Sequence, residues 1–173
     1  SDGHLLEYFR STFGSGGGAT AAGPLPHIEA TGGTINDYTD GGKVYRSHVF
    51  TETGQFSVTD VPTSYDEGKI DYLVVAGGGG GGPQYAGSMP GVMPNTGAML
   101  PVNTSTYNVV IGGGGAVTAK QLRGGTGVDS SLQYNGGTIT AAGGGGGGST
   151  NASDVADRDG GPGGSGGGVS GNQ

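Results

Sequence analysis

The chain has 173 residues, of which 44 are Gly and 8 are Pro, and its formal net charge is −7. Gly and Pro together approach 30% without a three-residue period, which excludes collagen. Leu, Ile, Val and Phe total 30, about 17% of the chain, too few for the single large core of an ordinary globular enzyme. The acidic balance argues against a nucleic-acid binder working by phosphate neutralisation. No stretch approaches the ~20 apolar residues of a membrane span, and the absence of Cys removes disulfides and thiolate metal sites. No charged n-region with an apolar h-region opens the sequence, so a Sec signal peptide is not expected.

Composition changes near Ala76. Residues 1–76 hold 12 Gly, 14 charged residues and 9 of the 12 aromatics, whereas residues 77–173 hold 32 Gly and only 7 charges. Three regions are expected: a docking helix with a Gly/Ala linker (1–23), a small antiparallel β domain (24–76) and a glycine-rich domain (77–173). In the first, Leu5, Leu6, Phe9 and Phe13 form an apolar stripe at helical spacing, with Asp2 as N-cap. A helix this short is marginal alone and must bury its stripe, either on its own domain or in a partner. The Gly/Ser/Ala linker that follows allows it to reach outward.

Residues 27–76 read as β. Ile28 to Thr31 precedes a Gly32-Gly33 break, after which Thr34-Ile35 resumes pairing. Val44 to Phe50 forms a strand, residues 51–54 a turn, and Gln55 to Val58 alternates and is expected to pair back on it. Ile70 to Ala76 is apolar at nearly every position and is expected to be covered on both faces. The expected core is Ile28, Val49, Phe56, Val58, Tyr72 and Val74.

A short β-like segment runs into polyglycine three times: Asp71 to Ala76 into Gly77 to Gly82, Tyr107 to Ile111 into Gly112 to Gly115, and Thr138 to Ala142 into Gly143 to Gly148. A further Gly-rich stretch covers residues 160–168. The run starts are 35 and 31 residues apart, a loose internal repeat. An ordered Gly costs about 0.5–1 kcal/mol more than Ala, so the runs are either flexible linkers or are compensated by backbone hydrogen bonding. A polyproline-II-like helix, whose N–H and C=O groups all point to neighbours, offers that compensation. The expected fold is therefore mainly β, with a short N-terminal helix and polyglycine-II-like helices in the distal domain.

Candidate chemistry is sparse. Gly163 to Gly167 matches the nucleophile-elbow pattern G-x-S-x-G, but no strong strand leads into it and all three His precede residue 49. Gly-x-Gly-x-x-Gly recurs without the strand-turn-helix context that binds phosphates. Asp154, Asp157 and Asp159 fit neither an EF-hand loop nor a nonapeptide calcium repeat, and Arg158 lies among them. His48 reads as a hydrogen-bonded structural residue. No catalytic residue, cofactor or metal is expected.

The succession Ile28 to Gly33, Tyr45 to Thr51, Gly54 to Val58 and Asp71 to Ala76 with its polyglycine resembles the glycine-rich domain common in bacteriophage structural proteins. The strings Tyr107 to Gly115, Gly127 to Ser131 and Ala141 to Gly148 continue the resemblance, which covers about residues 28–168. The opening Asp2 to Arg10 is similar to leaders on such proteins in phages of marine bacteria. The residues from Met89 to Pro101 depart from the pattern as a Pro/Met-rich insertion. The resemblance implies a virion component, not an enzyme, often with packed polyglycine-II helices and variable loops that touch receptors. The expected function is peripheral, fibre- or adhesin-like attachment to the host surface. A capsid or neck decoration protein is the alternative and a polyglycine ice-binding protein a remote one. Expected partners are other virion proteins, further copies of the chain (a trimer, on a shared symmetry axis) and a bacterial surface receptor.

Overall fold

A computed structural model of the chain describes residues 27–62, 68–82, 87, 89–94, 99–118, 122–149 and 155–169. Its largest element is an antiparallel sheet of five strands. β1 (Glu29–Thr31) and β4 (Gly54–Asp60) are followed across the sheet by β9 (Ser105–Val110), β10 (Ser130–Tyr134) and β11 (Gly137–Ala141). Strands from both sides of the composition change at Ala76 thus share one sheet. β2 (Thr34–Asp40) and β3 (Lys43–Val49) form a separate hairpin. The short strands β5 (Lys69–Ile70) with β8 (Leu100–Pro101), and β6 (Leu73–Val75) with β7 (Val92–Pro94), make two further pairs. One helical turn, α1 (Val155–Arg158), completes the described elements.

Alternation along β4 and β9 sends Phe56, Val58, Tyr107 and Val109 to one face, where they are buried with Val102. The register places Phe56 opposite Tyr107, so two large rings fill the middle of this core. The Tyr107 hydroxyl is satisfied there by Asn103, accepting from its N–H at 2.8 Å and donating to its carbonyl at 3.1 Å. A second cluster joins Val74 and Ala76 to Ala141, with Leu132 touching both clusters.

Several expectations are corrected here. Phe56, Val58 and Val74 are core, and Ile28 and Tyr72 are partly buried against it, but Val49 is 47% exposed. Gln55 to Val58 does not pair back on Val44 to Phe50. β3 pairs with β2 through a tight Gly41-Gly42 turn with φ of 54° and 78°, the positive values a two-residue hairpin requires. β4 instead lies between β1 and β9, because its apolar residues match those of β9 across the long connection. The apolar stretch 70–76 is not one strand covered on both faces. It breaks into β5 and β6, and Leu73 (66%) and Val75 (44%) face outward while Val74 and Ala76 face in.

The expected polyglycine helices are corrected as well. The N-terminal helix over residues 2–13, with Leu5, Leu6, Phe9 and Phe13, lies outside the described residues. The runs from Gly77 to Gly82, Gly112 to Gly115 and Gly143 to Gly148 are not helices. They leave β6, β9 and β11 as backbone outside any helix or strand, and the described fold is mainly β with small antiparallel sheets.

Candidate functional site

The glycine runs are packed against one another and against neighbouring segments. Gly144 N–H donates to Gly77 O at 2.9 Å and Gly147 N–H to Gly80 O at 3.0 Å, so the first and third runs lie side by side. On another side, Gly127 N–H donates to Gly144 O and Gly124 N–H to Gly147 O, both at 2.8 Å. A further flank is closed by Gly161 N–H to Gly146 O at 2.7 Å and Gly164 N–H to Gly143 O at 2.8 Å. Each of these pairings repeats at three-residue intervals. The second run joins through Gly115 N–H to Gly78 O at 2.8 Å. Every residue from 143 to 149 is buried, making the third run the axis of the array.

Glycine is required here by space. None of the run glycines has a positive φ. A Cβ on Gly77 would overlap the carbonyl of Gly113, one on Gly79 that of Gly145, one on Gly80 that of Ala116, and one on Gly146 that of Gly124. Of the run-end positions singled out from the sequence, a Cβ on Gly82, Gly143 or Gly148 would likewise strike backbone oxygen of Gly148, Gly127 or Arg158. Gly112 and Gly115 are blocked by Val128 and Gly125. Gly113, in contrast, would meet nothing within 4 Å.

The residues 124–130 contribute to the array in a way not expected from the sequence, where Gly127 to Ser131 entered only as part of the family resemblance. The segment 124–128 lies against both the first and third runs. Gly124 and Gly127 face in while Thr126 and Val128 stay exposed, so its signal was two glycines three residues apart. The next residues receive the leading N–H of each run. Gly77 donates to Val128 O at 3.0 Å, Gly143 to Asp129 Oδ1 at 2.8 Å and Gly112 to Ser130 Oγ at 2.9 Å. The G-x-S-x-G string also belongs to the array, since Ser165 O accepts from Gly145 N–H at 3.0 Å.

The β2–β3 hairpin contrasts with this array. Every residue of β2 is exposed, as are Lys43 to Arg46 of β3. Directly opposed Tyr38 and Tyr45 stack at 5.4 Å with an 18° interplanar angle. On the other face, Arg46 donates from Nε and Nη2 to the two Asp37 carboxylate oxygens at 2.7 and 2.8 Å. The hydrogen-bonded guanidinium holds the Asp37 carboxyl below its ordinary value, and the Asp37 carboxylate in turn raises the Arg46 value. Ile35 and Val44 are 44% and 77% exposed. At the root, His48 Nδ1 donates to Gly32 O at 2.8 Å and its ring meets Phe56 edge-on at 5.1 Å. His48 thus acts as a structural tie between hairpin and core.

Among the described residues no group of three His, Cys, Asp or Glu side chains is placed to hold a metal, and no helix is long and apolar enough to cross a membrane. Asp154 lies outside the described residues, and the Asp157 carbonyl accepts from Ser149 N–H at 2.8 Å. No curated protein and no solved structure matches the chain. Residues 50–173, from the turn before β4 through the whole glycine array, match the glycine-rich domain, and the chain belongs to that family.

Proposed function

We propose that this chain is a non-enzymatic structural component of a bacteriophage virion, carried at the particle surface, where it contributes to attachment to the bacterial host in the manner of a fibre or adhesin. The observation that carries the reading is the β2–β3 hairpin. It is a ribbon of two seven-residue strands with stacked tyrosines and exposed aliphatics, standing apart from the five-stranded sheet. Isolated two-stranded hairpins are only marginally stable, so one that displays a tyrosine stack on one face and exposed aliphatics on the other suits a partner. The stripe of Leu5, Leu6, Phe9 and Phe13 would supply the anchor to other virion proteins.

The test is competition. Purified protein should slow adsorption of the phage to its host, and the double variant Tyr38→Ser/Tyr45→Ser, folded as the parent, should not. Deletion of residues 1–13 should leave the protein folded but missing from particles. Truncated chain at full occupancy, or competition untouched by the tyrosine changes, would overturn these roles.

A second reading, a capsid or neck decoration protein with an assembly role, is favoured by the exposed apolar face of β6 and β7. Leu73, Val75 and Val92 lie 66%, 44% and 46% exposed there, with no charge among them. Such a face suits a further copy of the chain, as in a symmetric trimer. A position on the shell in a map of the whole particle would select this reading; a tail-tip position would select attachment.

A further inference from the structure

The outward face of the five-stranded sheet has an organisation that neither the array nor the hairpin uses. Phe56, Val58, Tyr107 and Val109 fill the inner face, so alternation turns Gln55, Ser57, Thr106 and Asn108 to solvent. Gln55 stands opposite Asn108, Asn108 is bonded to Gln133, and Gln133 stands opposite Thr138. These residues form one row across β4, β9, β10 and β11. With strands about 4.8 Å apart, the row is roughly 14 Å long. Beside it, Ser57 and Thr106 form a second row, their hydroxyls 3.0 Å apart. Neither row holds an Asp, Glu, Lys or Arg, whereas a solvent-facing surface ordinarily mixes both signs of charge.

The row is held in place by its own bonds. Asn108 donates to Gln133 Oε1 from both Nδ2, at 3.2 Å, and its backbone N–H, at 3.3 Å. Gln55 Nε2 reaches Asn108 Oδ1 at 3.5 Å. Gln133 keeps both amide protons for a ligand, Gln55 keeps its carbonyl oxygen, and Thr138 keeps a hydroxyl that both donates and accepts.

We propose that this face binds a neutral polysaccharide, with the amide row hydrogen-bonding the hydroxyls of an extended sugar chain. A carboxamide offers donor and acceptor side by side, the pattern presented by two adjacent sugar hydroxyls. Side chains already held by one another lose little rotamer freedom on binding. The absence of cationic side chains on the rows, in a chain of net charge −7, selects against sulfated and carboxylated polymers. The inference rests on the attachment reading only for the source of the sugar, a cell-surface glycan; the binding step stands apart from it.

The experiment is native affinity electrophoresis of the full chain through gels containing dextran, galactomannan or hydroxyethylcellulose, with alginate as the polyanionic control. At least one neutral polymer should retard the protein and alginate should not. Pull-down on the same polymer immobilised on beads should be equal in low and high salt. Asn108→Ala/Gln133→Ala should weaken retention roughly tenfold, the scale of one or two hydrogen bonds. Thr138→Lys, a surface change on the edge strand that leaves the amides in place, should weaken it with unchanged melting. No retardation by any neutral polymer, salt-sensitive retention, equal retention of both variants, or shaping of ice crystals without polysaccharide binding would overturn the proposal. Protein that competes for adsorption but ignores every polymer leaves the attachment reading standing and removes this one.

Discussion

Asp129 and Ser130, adjacent in sequence, take the leading amides of two different glycine runs: Gly143 N–H donates to the Asp129 carboxylate and Gly112 N–H to the Ser130 hydroxyl. With the Val128 carbonyl on Gly77, three consecutive residues set where all three runs begin. A run of identical residues has no side chain to fix its register, so slippage by one position is resisted only by such end contacts and by the blocked Cβ positions.

The Ser130 contact is the more valuable of the two, because Ser130 is fully buried whereas Asp129 is exposed to water. Ser130→Ala strands the Gly112 N–H and is expected to cost about 1–3 kcal/mol in urea unfolding. Asp129→Asn retains an acceptor oxygen and should unfold close to the parent. A Ser130→Ala protein as stable as the parent would show that the run start is held elsewhere.

Gly146 and Gly113 lie in runs of the same composition but in opposite surroundings. Gly146→Ala drives a methyl into the Gly124 carbonyl and should destabilise by at least ~2–3 kcal/mol, the upper part of the overpacking range. Gly113→Ala meets open space at a φ that Ala accepts, and should stabilise by about 0.4–1 kcal/mol through the unfolded state. Paired thermal melts decide the matter; equal effects would place Gly146 outside the packed axis.

Phe56 joins the hairpin root to the sheet core through His48 on one side and Tyr107 on the other. Truncation to Ala should cost roughly 3–5 kcal/mol. Loss of the ring should also broaden the His48 resonances in NMR spectra, since its edge-on ring partner is gone. A melt within a degree or two of the parent would remove Phe56 from the core.

The Asp37–Arg46 pair gives the hairpin a pH dependence of known sign. The guanidinium holds the folded-state carboxyl below its ordinary 3.8. The stabilisation is therefore complete above the unfolded value and is lost as pH falls through the lowered one, below about pH 4. Both side chains are half exposed, so the effect is local and small. The near-UV circular dichroism of the Tyr38–Tyr45 stack should be flat from about pH 5 to about pH 8 and change below about pH 4. Asp37→Asn should abolish that acid step; its persistence would assign it to another carboxylate.

Local patterns in the chain were enough to place β4 with Phe56 and Val58 inward, to mark a break at Gly32-Gly33 and to find the three runs. Each of these depends on residues near one another, through side-chain alternation or the lack of a Cβ. The pairing of β4 with β9 rather than β3, the splitting of residues 70–76 and the exposure of Val49 depend on which distant strand offers a matching face, and no local signal carries that. The glycine runs show the division most clearly. Their composition left flexible linkers and packed backbone both open, and Gly113 and Gly146 are indistinguishable as letters. Only the packing of segments 77–80, 124–127 and 161–164 around the third run decided which glycine sits against a carbonyl and which faces water, because a missing methyl matters only where another atom already occupies its place.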